Sequence, residues 1–152
     1  MKALSLLQPW ASLVIFGEKE IETRSWRPSN KEIDTTIAIH ASKAFNRDER
    51  EMALTSPFRE ALKAHGFKTL GDVPRGVIIG TVRIVAFERA ESVINQLAIK
   101  ELAFGNYEEG RWGWRFADAR RIEPVACRGA LSLWPVPDEL LAQFRYLDEA
   151  AA

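Results

Sequence analysis

The 152-residue chain carries 47% apolar and 28% charged residues, an ordinary globular composition that excludes a disordered polymer. Its 21 Lys and Arg balance 21 Asp and Glu, so the formal net charge is zero. Proteins that grip long duplexes through many phosphates carry a basic excess, so any nucleic-acid contact here must come from a local patch or a pocket.

Cys127 is the only cysteine, which excludes an intramolecular disulfide. With two histidines it cannot build a Cys-based zinc site, so no metal or cofactor is expected and a cytoplasmic home is the default. Residues 2–7 predict a short strand, and Pro9 suits the first turn of a helix, where its missing N–H costs nothing. Trp10, Leu13 and Val14 recur at helical spacing, and Gly17 stops the helix. The apolar run over 3–16 is interrupted by Gln8-Pro9, short of the ~20 apolar residues a bilayer span needs, so neither a signal peptide nor a membrane helix is read. Residues 21–26 return to strand, and 35–40 form a β-branched strand leading into Ala41-Ser42-Lys43. Asn46 N-caps a helix over 46–54; Ser56-Pro57 opens a second that stops at Gly66, with His65 at its surface end.

Pro74-Arg75-Gly76 is a turn, and 77–87 is the longest strand, with Gly80 a bulge or a point of close approach. Residues 91–104 place Val93, Ile94, Leu97 and Leu102 on one face and predict a single amphipathic helix. Three strands follow at 112–116, 121–127 and 130–134, with Cys127 a small buried strand residue. A short helix opens at Pro137-Asp138-Glu139, and the tail after about residue 148 is expected to fray. Without repeat or linker, residues 1–152 read as one α+β domain built on a small barrel of five to six strands.

The chemistry concentrates in Gly17-x-Lys19-x-x-Glu22-x-Arg24. Gly17 lets the chain turn sharply. Glu22 and Arg24 lie two apart on a strand and project from one face, while Ile21 and Thr23 face the packing. An Arg forks onto phosphate or carboxylate, a partly buried Lys beside a cation serves as base or nucleophile, and a Glu orients that Lys or takes a proton. The same spacing suits an ordinary ion-pair cluster on a strand edge. His40, beside Ser42 and Lys43, reads either as a stacking or proton-exchanging residue or as a satisfied strand-end histidine. Trp112 and Trp114, with Arg111 and Arg115 close by, read as a stacking platform or as barrel core. Trp10, near Gln8, either lines a cleft or staples the first helix. Arg111, Arg115, Arg120, Arg121 and Arg128 outnumber Asp118 and Glu123 and make the last third locally basic, a phosphate surface or a solvated barrel face.

These segments resemble the ASCH (activating signal cointegrator homology) family: Gln8-Pro9-Trp10-Ala11, the intact motif over 17–24, the blocks at 37–43 and 74–82, and the closing strands at 112–116 and 129–134. The resemblance implies a PUA-like β-barrel with flanking helices, whose motif-lined cleft takes single-stranded RNA, a nucleotide or a modified nucleoside. In such a cleft Lys19 and Arg24 contact phosphate or a base edge, and Glu22 holds them or accepts from a base amine. Trp10, Trp114 or His40 stack, and Gln8, Ser42, Lys43 and Arg115 complete the binding set. Family members include ribonucleases, for which Lys19, Glu22 and His40 are the metal-independent catalytic candidates. A subgroup of shorter chains comprises amidohydrolases that deacetylate N4-acetylcytidine; they place a threonine where this chain has Glu22, so the sequence departs from them there. A protein-binding adaptor is the third option, favoured if Leu140, Leu141 and Phe144 form an exposed patch. Residues 49–70 are a candidate lid.

Overall fold

A computed structural model describes residues 1–147; the tail expected to fray lies outside the described residues. Six strands form one sheet: β1 (Lys2–Leu6), β2 (Ile21–Arg24), β3 (Thr36–Ala41), β4 (Val77–Arg89), β5 (Trp112–Ala126) and β6 (Leu133–Pro135). Their order is β2-β5-β4-β3-β1-β6; β1 and β3 run parallel and the other pairs antiparallel. The sheet curls into a half-barrel flanked by helices, the PUA-like α+β architecture expected.

Both faces of the sheet are covered, which explains why β3 is a nearly unbroken apolar run rather than an alternating one. Inside the curl, α1 (Trp10–Ile15) packs Ala11, Val14 and Ile15 against Leu4, Leu6, Ile37, Ile39, Ile84 and Trp114. On the outer face Ala3, Ala38, Ile78, Ile122 and Trp134 form a second cluster. The segment through α6 (Asp138–Leu141) covers it, with Leu140, Leu141 and Phe144 partly buried there. Those three residues therefore make no free patch of the kind an adaptor would offer. A third cluster joins α2 (Arg47–Ala53) and α3 (Phe58–Ala64) to α1 through Leu13, Ala53, Phe58, Leu62 and Phe104. The Asn46 backbone N–H donates to Glu49 at 3.1 Å, which fixes the start of α2.

The last third departs from expectation. Residues 91–104 are not one helix: α4 (Ala90–Val93) and α5 (Ile99–Phe104) are separated by a 3-10 turn and by extended backbone at Leu97 and Ala98. An unbroken 14-residue helix would run straight for ~20 Å. The break instead folds Val93, Ile94, Leu97 and Leu102 back over Ile21 and Tyr107. The strands expected at 112–116 and 121–127 are one strand, β5, because β4 pairs with it along its length through three register shifts. One of these shifts falls at Asp118, between Ala117 and Arg120, where φ is 55°. Cys127 lies one residue past its end and is half-buried. β6 is shorter than expected, because residues 130–132 belong to the loop before it.

Gly80 is the point of close approach. A Cβ there would stand 2.3 Å from the Arg120 carbonyl oxygen and 2.8 Å from Ile15 Cδ1. Gly80→Ala is therefore expected to lower stability by about 1–3 kcal/mol, read as a shift of the urea midpoint with the slope retained.

Candidate functional site

The motif is built by the turn between α1 and β2. Gly17 takes a φ of 79°, and the backbone N–H groups of Glu18 and Lys19 both donate to the Leu13 carbonyl, at 2.9 and 3.0 Å. This winds Lys19 back under the sheet edge, where it is 2% exposed. Its ammonium donates to the Ile21 carbonyl and lies 3.6 Å from Glu22 Oε1. Along β2, Ile21 and Thr23 are buried, while Glu22 and Arg24 project from the other face as alternation requires. Arg24 Nε lies 3.3 Å from Glu22 Oε2, an ion pair not aligned as a hydrogen bond, and Arg24 Nη2 donates to the Ser5 carbonyl at 2.8 Å.

Arg24 stands between two lobes of one cleft. The larger, about 1020 Å³, is bounded by β1, the end of β3, the 75–76 turn and the loop after β5. Arg24, Lys43, Arg75 and Arg128 line it with His40, Ser5 and Ser42, and no acidic side chain does. Among the described residues neither Lys43 nor Arg128 is in an ion pair. The smaller lobe, about 400 Å³, shares Ser5, Arg24 and Ser42 with the first and adds Trp10 and Glu22.

His40 anchors the floor of the larger lobe. Its Nε2 lies 3.0 Å from the Cys127 carbonyl, an acceptor only, so the proton resides on Nε2. Nδ1 then accepts from Ser5 Oγ at 3.1 Å, and Ser5 in turn accepts from Trp134 Nε1 at 3.2 Å. Gly129 packs against this chain so closely that a Cβ would meet Ser5 Oγ at 2.5 Å. Burial lowers the His40 pKa, partly offset by the Cys127 carbonyl.

Of the expected site residues, the structure brings Trp10, Glu22, Arg24, His40, Ser42 and Lys43 to the cleft. Lys19 is not on its surface but beneath Glu22. Gln8 is fully buried, its amide donating to Ser12 and to the Pro74 carbonyl, both at 2.8 Å; it ties α1 to the 74–76 turn. Trp114 has no exposed surface: it packs edge-on to Trp26 and Phe87 and donates to the Trp26 carbonyl, so it is core, not a stacking platform. Arg115 is paired with Glu88 at 2.7 Å, away from both lobes. Of the basic last third, Arg128 and Arg111 reach the cleft; Arg121 lies over Phe16 and Arg120 over Tyr146. His65 caps α3 and pairs with Glu18 at 2.8 Å. The candidate lid is a wall: α2 and α3 pack on α1 and give Met52 and Phe58 to the smaller lobe.

Ser5, Arg75 and Gly129 escaped the sequence reading. Arg75 sits in a recognised turn, but only the fold shows that this turn faces Ser42 and Lys43. Among the described residues no three His, Cys, Asp or Glu side chains converge as a metal site, and no helix is long and apolar enough to cross a membrane.

A curled half-barrel with Glu22 and Arg24 in a cleft at its edge fits the family resemblance of the sequence, and the comparisons agree on the family. The ASCH domain model matches residues 4–126, and the chain belongs to the ASCH domain family. Crystal structures of ASCH from Zymomonas mobilis share the fold. One superposes with a TM-score of 0.58 at 16% identity over 95% of each chain. A serine-to-alanine variant gives 0.57 at 15% identity over 95% of this chain and 96% of that one. A tyrosine-to-phenylalanine variant gives 0.57 at 16% identity over 95% and 98%. No curated protein sequence matches the chain.

Two outcomes follow from the burial. Lys19→Ala leaves Glu22 without its buried cation and is expected to cost about 3 kcal/mol, the low end for a broken buried pair because Glu22 is 13% exposed. Chemical denaturation should show this loss with no ligand present. His40, whose folded pKa lies below its usual 6.5, binds protons more readily unfolded than folded. Its contribution is complete above that value and declines as pH falls toward the lowered folded one. Urea midpoints of the wild type should therefore fall from about pH 7 to pH 5, and His40→Gln should flatten that slope.

Proposed function

We propose that the cleft binds single-stranded RNA or a nucleotide, gripping phosphate in its larger lobe. One observation carries the reading: four cationic side chains and no acidic one surround this lobe in a chain of zero net charge. Such local concentration is what a phosphate-binding cleft requires without a basic protein. Lys43 and Arg128 are solvent-exposed and point contacts for phosphate, and Arg24 is the fixed member, held by Ser5 and Glu22.

RNA cleavage is a second reading, favoured by the unprotonated His40 Nδ1 beside the Ser5 hydroxyl in the same lobe. The amidohydrolase reading lacks such support, since it asks Lys19 to meet substrate and Lys19, unlike His40, lines neither lobe.

The test is a single-stranded RNA decamer and a nucleoside monophosphate titrated at several salt concentrations. Affinity for the decamer should fall linearly in log–log form. Lys43→Ala and Arg128→Ala should each weaken it and lower the slope by about 0.7. A decamer no tighter than the monophosphate would identify a nucleotide pocket; no binding of either by folded protein would sink the proposal. Shortening of the decamer on a denaturing gel that disappears in His40→Ala would establish cleavage.

A further inference from the structure

The smaller lobe has a different chemistry from the larger one. Trp10, Phe58 and Phe104 wall it, and Glu22 is its one carboxylate. The Trp10 ring is locked in place: Nε1 donates to the Phe104 carbonyl at 2.8 Å, and the ring stands edge-on to Phe58 at 6.0 Å. Leu7 and Met52, which also line this lobe, are 39% and 42% exposed, and the fold offers them no cover. Glu22 is flanked by Lys19 at 3.6 Å and Arg24 at 3.3 Å, yet among the described residues neither of its oxygens accepts an aligned hydrogen bond. A preformed apolar slot thus ends on an acceptor with open sites. It joins the phosphate lobe through Ser5, Arg24 and Ser42.

We propose that this lobe is a base pocket that selects nucleobases bearing an exocyclic amine; this rests on the reading of the larger lobe as a phosphate site. Stacking on an aromatic wall tolerates every base; Arg24 and Arg111, which also line the lobe, already donate to the Ser5, Asn106 and Thr23 carbonyls, so selection falls to the open acceptor of Glu22. The amines of cytosine, adenine and guanine stand clear of the ring and donate N–H to an anion. The N3–H of uracil lies between two carbonyl oxygens, which would be pressed against Glu22, and hypoxanthine carries an oxygen where adenine carries its amine. A buried polar group left unpaired is the mechanism by which such sites reject analogues. Phosphate in the larger lobe and base in the smaller place the ribose at the shared residues.

The experiment is calorimetric titration of the wild-type chain with CMP, UMP, AMP and IMP at low and moderate salt. CMP is expected to bind about tenfold tighter than UMP, and AMP about tenfold tighter than IMP, with ratios that persist as salt weakens all four. Four equal affinities would overturn the base pocket and leave the phosphate reading standing; no binding would remove the phosphate reading itself. Glu22→Gln, in protein shown to be folded, should bring the ratios close to one, and retained ratios would overturn the assignment. If that variant does not fold, the two nucleotide pairs on the wild type decide alone.

Discussion

The structure depends on a buried ammonium. Taking a lysine out of water costs several kcal/mol unless partners replace its hydration, and Lys19 is nearly inaccessible. Its partners are the Ile21 carbonyl, the Glu22 carboxylate and Glu101, a carboxyl whose pKa burial raises, offset only in part by the Glu20 N–H and by Lys19. Holding that ammonium fixes the path from α1 to β2, and β2 delivers Glu22 and Arg24 to the cleft. Arg24 then reaches the Ser5 carbonyl on β1. β2 is one edge of the sheet and β1 is next to the other, so this hydrogen bond joins across the open side of the half-barrel two strands that share no ladder.

Zero net charge and a cationic cleft coexist because the balancing acids lie away from it: exposed Glu108, Glu109, Glu123, Asp138 and Glu139 line neither lobe, and other acids are paired. Arg83 takes Asp34 and Asp118, Arg115 takes Glu88, and Glu18 takes Lys100 and His65. Exposed pairs of this kind add little stability. Their charges largely cancel one another away from the cleft, where Lys43, Arg75 and Arg128 meet no acid and set the local field. Composition reports the sum and is silent on this partition.

The strands up to 89, the first helix, the Gly80 approach and the paired projection of Glu22 and Arg24 were legible because each follows from local periodicity or backbone sterics. The break at Leu97 and Ala98 was not, since its cause is the surface of β2 and Tyr107 that the segment must cover. Trp114 shows the same limit. Its neighbours Arg111 and Arg115 suggest a platform, but β5 turns its odd-numbered neighbours and Trp114 to different fates according to what lies across the sheet, and Trp26 and Phe87 enclose it. Lys19 was legible as a motif residue but not as a buried one, because burial comes from the winding at Gly17. Arg75 and Ser5 joined the cleft through tertiary contact alone.

On the proposed reading, the two lobes differ in what they offer a nucleotide's phosphate. In the smaller lobe a phosphate would meet a carboxylate as well as cations: Glu22 stands between Lys19 and Arg24, which it already engages, and Arg111 also lines the lobe. In the larger lobe the same phosphate meets cations and no acid. The difference spans a short distance, because Arg24 belongs to both lobes, and screening acts over ~8 Å at physiological salt. On that reading orientation would be set inside the cleft, by the one carboxylate that separates the two lobes, rather than by the long-range field of a neutral protein.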